Sequence, residues 1–187
     1  MATDMPKSIL LIGFPKSGST LAVDVLSKAC SLRLPECGKA ELLNADCNVE
    51  FRNQHLVASP AAFEDATDLL TRYSADHVVK DVVQPWLISA YLMQSGFRYN
   101  VVYLQRSRDE LRKCQLRVGW DCPDPAYFEE MYLQLADAVL TTEELLTRPE
   151  RVWDICRSMG YAVTPHDYTS DSEFQAKLRE TQAFLLS

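Results

Sequence analysis

A chain of 187 residues with 47% hydrophobic and 24% charged side chains can bury one sizeable core, which excludes wholesale disorder. Its 26 acidic and 19 basic residues leave a net charge of −7. That balance excludes broad nucleic-acid binding and disfavours a highly sulfated or phosphorylated polymer as partner, since both need basic surface.

No apolar run reaches membrane-spanning length, and Met1–Lys7 leads into too short an apolar stretch for a secretory leader, so no membrane partner is expected. The cysteines at 30, 37, 47, 114, 122 and 156 form no CxxC pair, and the histidines at 55, 77 and 166 have no ligand-like spacing. Free thiols, a cytoplasmic location and no metal site follow as expectations. The chain reads as one domain over 1–187, with a core at 8–160 and a helical extension at 165–187.

In chain order, Ile9–Ile12 reads as a buried strand, and Leu21, Ala22, Val25, Leu26 and Ala29 recur at helical spacing after it. Between them lies the loop Gly13-Phe14-Pro15-Lys16-Ser17-Gly18-Ser19-Thr20. A strand, a small-residue loop and a helix in that order build an anion site, because helix-start N–H groups and the macrodipole favour negative charge. Residues 30–53 show little periodicity, and a loop of that length inside a compact domain is usually functional. Ser59-Pro60 opens a helix with Phe63, Ala66, Leu69, Leu70 and Tyr73 on one face. His77–Val79 is a short strand ending at Lys80-Asp81, and Pro85 starts a helix that Gly96 stops.

Asn100–Leu104 is the third strand, and Ser107-Arg108-Asp109-Glu110 reads as a capping box opening the next helix. Another helix follows Pro125, Val139-Leu140 looks like a fourth strand, and Glu143–Leu146 is helical. Further helices run from Pro149 to Gly160 and from Asp171 to Leu186, the last packing on the core or on a second copy as a homodimer. Strands alternating with helices predict a parallel sheet covered on both faces, a three-layer α/β/α architecture. In such sheets ligands bind beyond the carboxyl ends of the strands. Lys16, Lys80 and Arg106 mark three successive strand ends and are expected to converge.

The frame Gly13-xxxx-Gly18 fits a triphosphate-binding loop, but Ser19 stands where that motif needs lysine, and the lysine sits inside the loop at position 16. Pro15-Lys16-Ser17-Gly18-Ser19-Thr20-Leu21 instead resembles the PKSGTTxL loop of the sulfotransferases. Val101–Arg106 with the helix after it resembles that family's 3′-phosphate strand–turn–helix, and Arg106 to Cys114 matches its arginine-to-serine spacing. Lys80-Asp81 before Pro85, and Thr142–Glu150 with Ile155–Gly160, resemble further family segments in the right order over about residues 8–160.

The resemblance implies the P-loop nucleotide-hydrolase-like sulfotransferase fold. It also implies a sulfuryl donor, 3′-phosphoadenosine 5′-phosphosulfate, with no metal and a small-molecule hydroxyl as acceptor. It assigns Pro15, Lys16, Ser17, Gly18, Ser19 and Thr20 to the 5′-phosphosulfate, Arg106 and Cys114 to the 3′-phosphate, and Lys16 and Lys80 to the charge on the leaving phosphate. The family's stacking tryptophan is Leu21 here, its histidine base is Val82, and its late arginine-lysine-glycine element is not recognisable. By position Glu36 is the first candidate base, with Glu41, Asp81 and His55 as alternatives. Two other functions compete: a P-loop kinase of a small metabolite, and a nucleotide-binding protein of the same fold without transfer activity.

Overall fold

The computed structural model describes residues 8–35, 67–68, 70–82, 99–119 and 125–186. Its elements are β1 (Ser8–Gly13), α1 (Ser19–Cys30), β2 (Val78–Asp81), β3 (Tyr99–Gln105), α2 (Arg108–Arg117), α3 (Pro125–Leu135), β4 (Ala138–Thr141), α4 (Thr142–Thr147), α5 (Arg151–Ser158) and α6 (Ser172–Leu186). Outside the described residues lie Glu36, Glu41 and His55, the start at Ser59-Pro60, the stretch Pro85–Gly96, Trp86, Trp120, and cysteines 37, 47 and 122.

The four strands form one all-parallel sheet in the order β2-β1-β3-β4. β1 is buried along its whole length, as an apolar run must be when both faces of a parallel sheet are covered. Ile9 and Leu11 face a core built with Leu21, Val25 and Leu26 of α1, Cys156 of α5 and Phe174 of α6. Leu10 and Ile12 face the opposite core, with Leu111 of α2 and Tyr132 of α3. The architecture is therefore three-layer α/β/α around a central parallel sheet.

Two consequences of this arrangement position the site. The helices that follow the neighbouring strands β1 and β3 lie on opposite faces, which opens a crevice where the carboxyl ends of those strands diverge. Strand alternation also separates two adjacent charges. Lys80 pairs with Leu11 and Asp81 with Ile12, so Lys80 lies on the α1 face and Asp81 on the α2–α3 face.

The sequence reading needs one correction, at the caps. Ser107 precedes α2 without any side-chain cap bond, and Glu110, the second half of the expected box, lies 3.5 Å from the Arg106 Nε instead of closing it. A complete capping box forms one strand later, where Thr141 accepts from the Glu144 N–H and the Glu144 carboxylate accepts from the Thr141 N–H. No helix among the described residues is long and apolar enough to cross a membrane.

The last helix packs on this chain's own core through Phe174 and Leu185. Asp171 starts it. One carboxylate oxygen accepts from the Phe174 N–H at 2.9 Å, and the other contacts Lys28 Nζ at 2.8 Å and His166 Nε2 at 2.7 Å. Lys28 first, then the Phe174 N–H and His166, hold this carboxyl well below its ordinary value of 3.8. A depressed carboxyl stabilises the fold fully above its ordinary value, and that contribution drains away as pH falls toward the native value. Urea melts from about pH 6 down to about pH 2 should therefore fall less steeply for Asp171→Asn than for the parent chain; equal slopes would contradict the anchoring role.

Candidate functional site

The loop between β1 and α1 is held from outside by its own carbonyl groups. Gln115 Nε2 donates to the Pro15 carbonyl at 3.3 Å, an Arg106 nitrogen donates to the Lys16 carbonyl at 2.6 Å, and Thr142 Oγ1 donates to the Ser17 carbonyl at 2.8 Å. Gln115 comes from α2, Arg106 from the end of β3, and Thr142 from the start of α4 beyond β4. All three donors are buried, so these bonds are shielded from competing water.

The backbone angles turn the other polar edge inward. Residues Lys16 and Gly18 have φ of 72° and 85°, while Ser17 between them does not have positive φ. Such alternation brings successive N–H groups into one concavity that accepts an anion. α1 begins at Gly18 without a side-chain cap, so its first N–H groups and its positive dipole end point into the same place. Ser17 is fully buried, and its hydroxyl has no hydrogen-bond partner among the described residues. An orphaned hydroxyl in a buried loop is costly, and a bound anion would satisfy it.

The positive charges arrive from two strands. Lys80 is only 1% exposed, and its Nζ donates to Thr20 Oγ1 at 3.2 Å, in the first turn of α1. Arg106, 6% exposed, reaches the loop through Lys16 as described and donates its second terminal nitrogen to the Leu185 carbonyl at 2.8 Å. The three strand-end cations thus gather on one loop. Lys16 directs its Nζ to 5.0 Å from the centroid of the Phe184 ring. Cys114 is buried on α2 and its sulfur accepts from Arg117 at 3.3 Å. Asp81 lies on the opposite face of the sheet from Lys80 and Thr20, toward Tyr132.

Phe14 fixes the other side of the loop by packing against Tyr132 at 5.1 Å and edge-on to Tyr103 at 6.4 Å. Burial pushes both phenols well above their ordinary range, so this wall stays neutral. Beside the loop, at the carboxyl ends of β3 and β4, is a cavity of about 500 Å³ lined by Arg106, Arg108, Glu129, Glu143, Gln182 and Leu185, among others. Burial raises the Glu129 carboxyl, but hydrogen bonds from Gln105 and Arg108 prevail and hold it below its ordinary value, so it stays ionised.

Sequence reasoning missed Gln115, Thr142 and the end of α6. Thr142 had a usable signal, since it follows the fourth strand as Arg106 follows the third. Gln115 lies one turn beyond Leu111 on the buried stripe of α2, where a polar residue needs a partner. The end of α6 carries no motif at all.

No protein-family model matches the chain, and no curated protein matches it. Solved structures that do match include a mouse sulfotransferase, SULT7A1, complexed with PAP (13% identity, TM-score 0.46, covering 93% of this chain). The chain spans 64% of the length of that protein. A sugar kinase from Janibacter sp. HTCC2649 matches at 12% identity and TM-score 0.46, over 83% of this chain and 95% of its own. A sulfotransferase from Alicyclobacillus acidocaldarius matches at 14% identity and TM-score 0.45, over 95% and 93% respectively.

Gly13 tests how tightly the loop is seated. A Cβ there would meet the Leu104 backbone oxygen of the neighbouring strand at 3.0 Å and the Ser17 hydroxyl at 3.6 Å. Gly13→Ala should cost about 1–3 kcal/mol in a urea melt, as overpacking against rigid backbone does. Unchanged stability would show that the loop is not locked to β3.

Proposed function

We propose that the chain moves a sulfuryl group from 3′-phosphoadenosine 5′-phosphosulfate to a hydroxyl of a small-molecule acceptor. The observation that carries this reading is the carbonyl-pinned loop with the buried, unpartnered Ser17 hydroxyl inside it and Lys80 at its rim. Its sequence resembles the sulfotransferase loop, and a serine stands at position 19 where a triphosphate site needs lysine. Support for the donor's 5′-phosphate comes from the turn at Lys16–Gly18, the Ser17 hydroxyl with no partner among the described residues, and Lys80 beside Thr20.

When bound, the donor supplies an activated sulfuryl group whose departure leaves charge on a phosphate oxygen. In this reading Lys16 and Lys80 stabilise that charge, and the N–H groups of Ser17, Gly18, Ser19 and Thr20, with the hydroxyls of Ser17, Ser19 and Thr20, hold the phosphate in line. Arg106 serves the 3′-phosphate with the nitrogen that now meets Leu185, keeping its other nitrogen on the loop, and Cys114 of α2 is the second residue we assign to that phosphate. As the acceptor oxygen bonds to sulfur and the sulfur–phosphate oxygen bond breaks, the hydroxyl proton passes to a base. We assign that role to Glu36, on its place in the chain after α1.

One thermal-unfolding series tests the reading. Adenosine 3′,5′-bisphosphate without metal should stabilise the chain by about 2.7 kcal/mol at ~100 times its dissociation constant. Lys16→Ala should keep the fold and abolish transfer. Stabilisation by ATP with Mg²⁺ alone would favour a kinase. Stabilisation by the bisphosphate without any turnover would favour a binding protein, and retained transfer in Lys16→Ala would overturn the assignment of that lysine.

A further inference from the structure

The cations of the loop are not open to solvent on every side, because the last turn of α6 is seated on them. Arg106 donates to the Leu185 carbonyl at 2.8 Å and Arg117 donates to the Phe184 carbonyl. Both carbonyls belong to the last described turn of α6. A helix C-terminus also carries negative partial charge. The turn therefore offers these arginines the same sign and the same acceptor chemistry as a phosphate oxygen. Phe184 adds a second hold, with Lys16 Nζ at 5.0 Å and the Arg117 guanidinium at 5.3 Å from its ring centroid. Leu185 Cδ1 would lie 3.4 Å from a Cβ at Gly18, so it rests against the loop itself.

The two ends of α6 are fastened very differently. At its start Phe174 is fully buried and Asp171 is tied to Lys28 and His166. At its end Phe184 is 39% and Leu186 74% exposed, which leaves Leu185 as the buried contact of that turn. Little apolar area is lost if the last turn alone moves. Gln182, Leu185 and Leu186 also wall the 500 Å³ cavity that shares Arg106, so moving the turn joins loop and cavity into one cleft of nucleotide size.

We infer that the last turn of α6 is a lid that a nucleotide anion displaces, its carbonyls standing in for phosphate oxygens on Arg106 and Arg117 in the closed chain. This rests on the loop being the anion site. A closed lid lowers apparent affinity by the fraction of chains that are open, so loosening it tightens binding.

The test titrates adenosine 3′,5′-bisphosphate into the full chain and into Phe184→Gly, which removes both ring contacts at an exposed position, and follows amide hydrogen exchange. Affinity should rise about fivefold in Phe184→Gly. In the parent chain, ligand should slow exchange at residues 16–20 while speeding it at 183–186. Equal or weaker affinity in the variant, or slowed exchange at 16–20 with no speeding at 183–186, overturns the lid and leaves the site standing. No binding to either chain overturns both.

Discussion

The guanidinium of Arg106 is the contact on which the site depends. It stands at the carboxyl end of β3, in the crevice that opens because α1 and α2 leave adjacent strands toward opposite faces. One nitrogen fixes the Lys16 carbonyl and the other the Leu185 carbonyl, 79 residues further along the chain. A planar fork suits this task because it can hold two acceptors at a set separation, which a lysine cannot. Without it the loop would lose the middle of its three outward carbonyl bonds, and with them the turn of its N–H groups toward one point.

The chemistry at this point follows from strand geometry more than from the loop alone. Because side chains alternate along β2, the consecutive residues Lys80 and Asp81 are sent to opposite sides of the sheet. The cation reaches Thr20 at the start of α1, and the carboxylate turns to the other face of the sheet, toward Tyr132. A register slip of one residue would reverse the two and put a negative charge beside the loop. The fully buried β1, paired on both edges, is what forbids that slip.

Much of this was legible in the chain. The apolar run Ile9–Ile12, the glycine-bearing loop and the helical stripe after it yield a strand, turn and helix because each follows from local periodicity and backbone freedom. That cations recur after three strands is visible too, and a parallel sheet brings its carboxyl ends to one edge. At Ser107 the pattern alone misleads, because the same four residues can leave the serine uncapped and turn Glu110 back toward Arg106. The seat of α6 was invisible for a different reason. Its contacts with the arginines run through backbone carbonyls, which every residue has, so no side-chain pattern announces them.

The central claim is that the concavity between Lys16 and Thr20 is built for a phosphate. A crystal structure of the full chain with adenosine 3′,5′-bisphosphate tests it most directly. The account predicts the 5′-phosphate inside the loop, with the Ser17 hydroxyl about 2.7 Å from a phosphate oxygen. A nucleotide bound elsewhere, with the Ser17 hydroxyl still unpartnered, would contradict it.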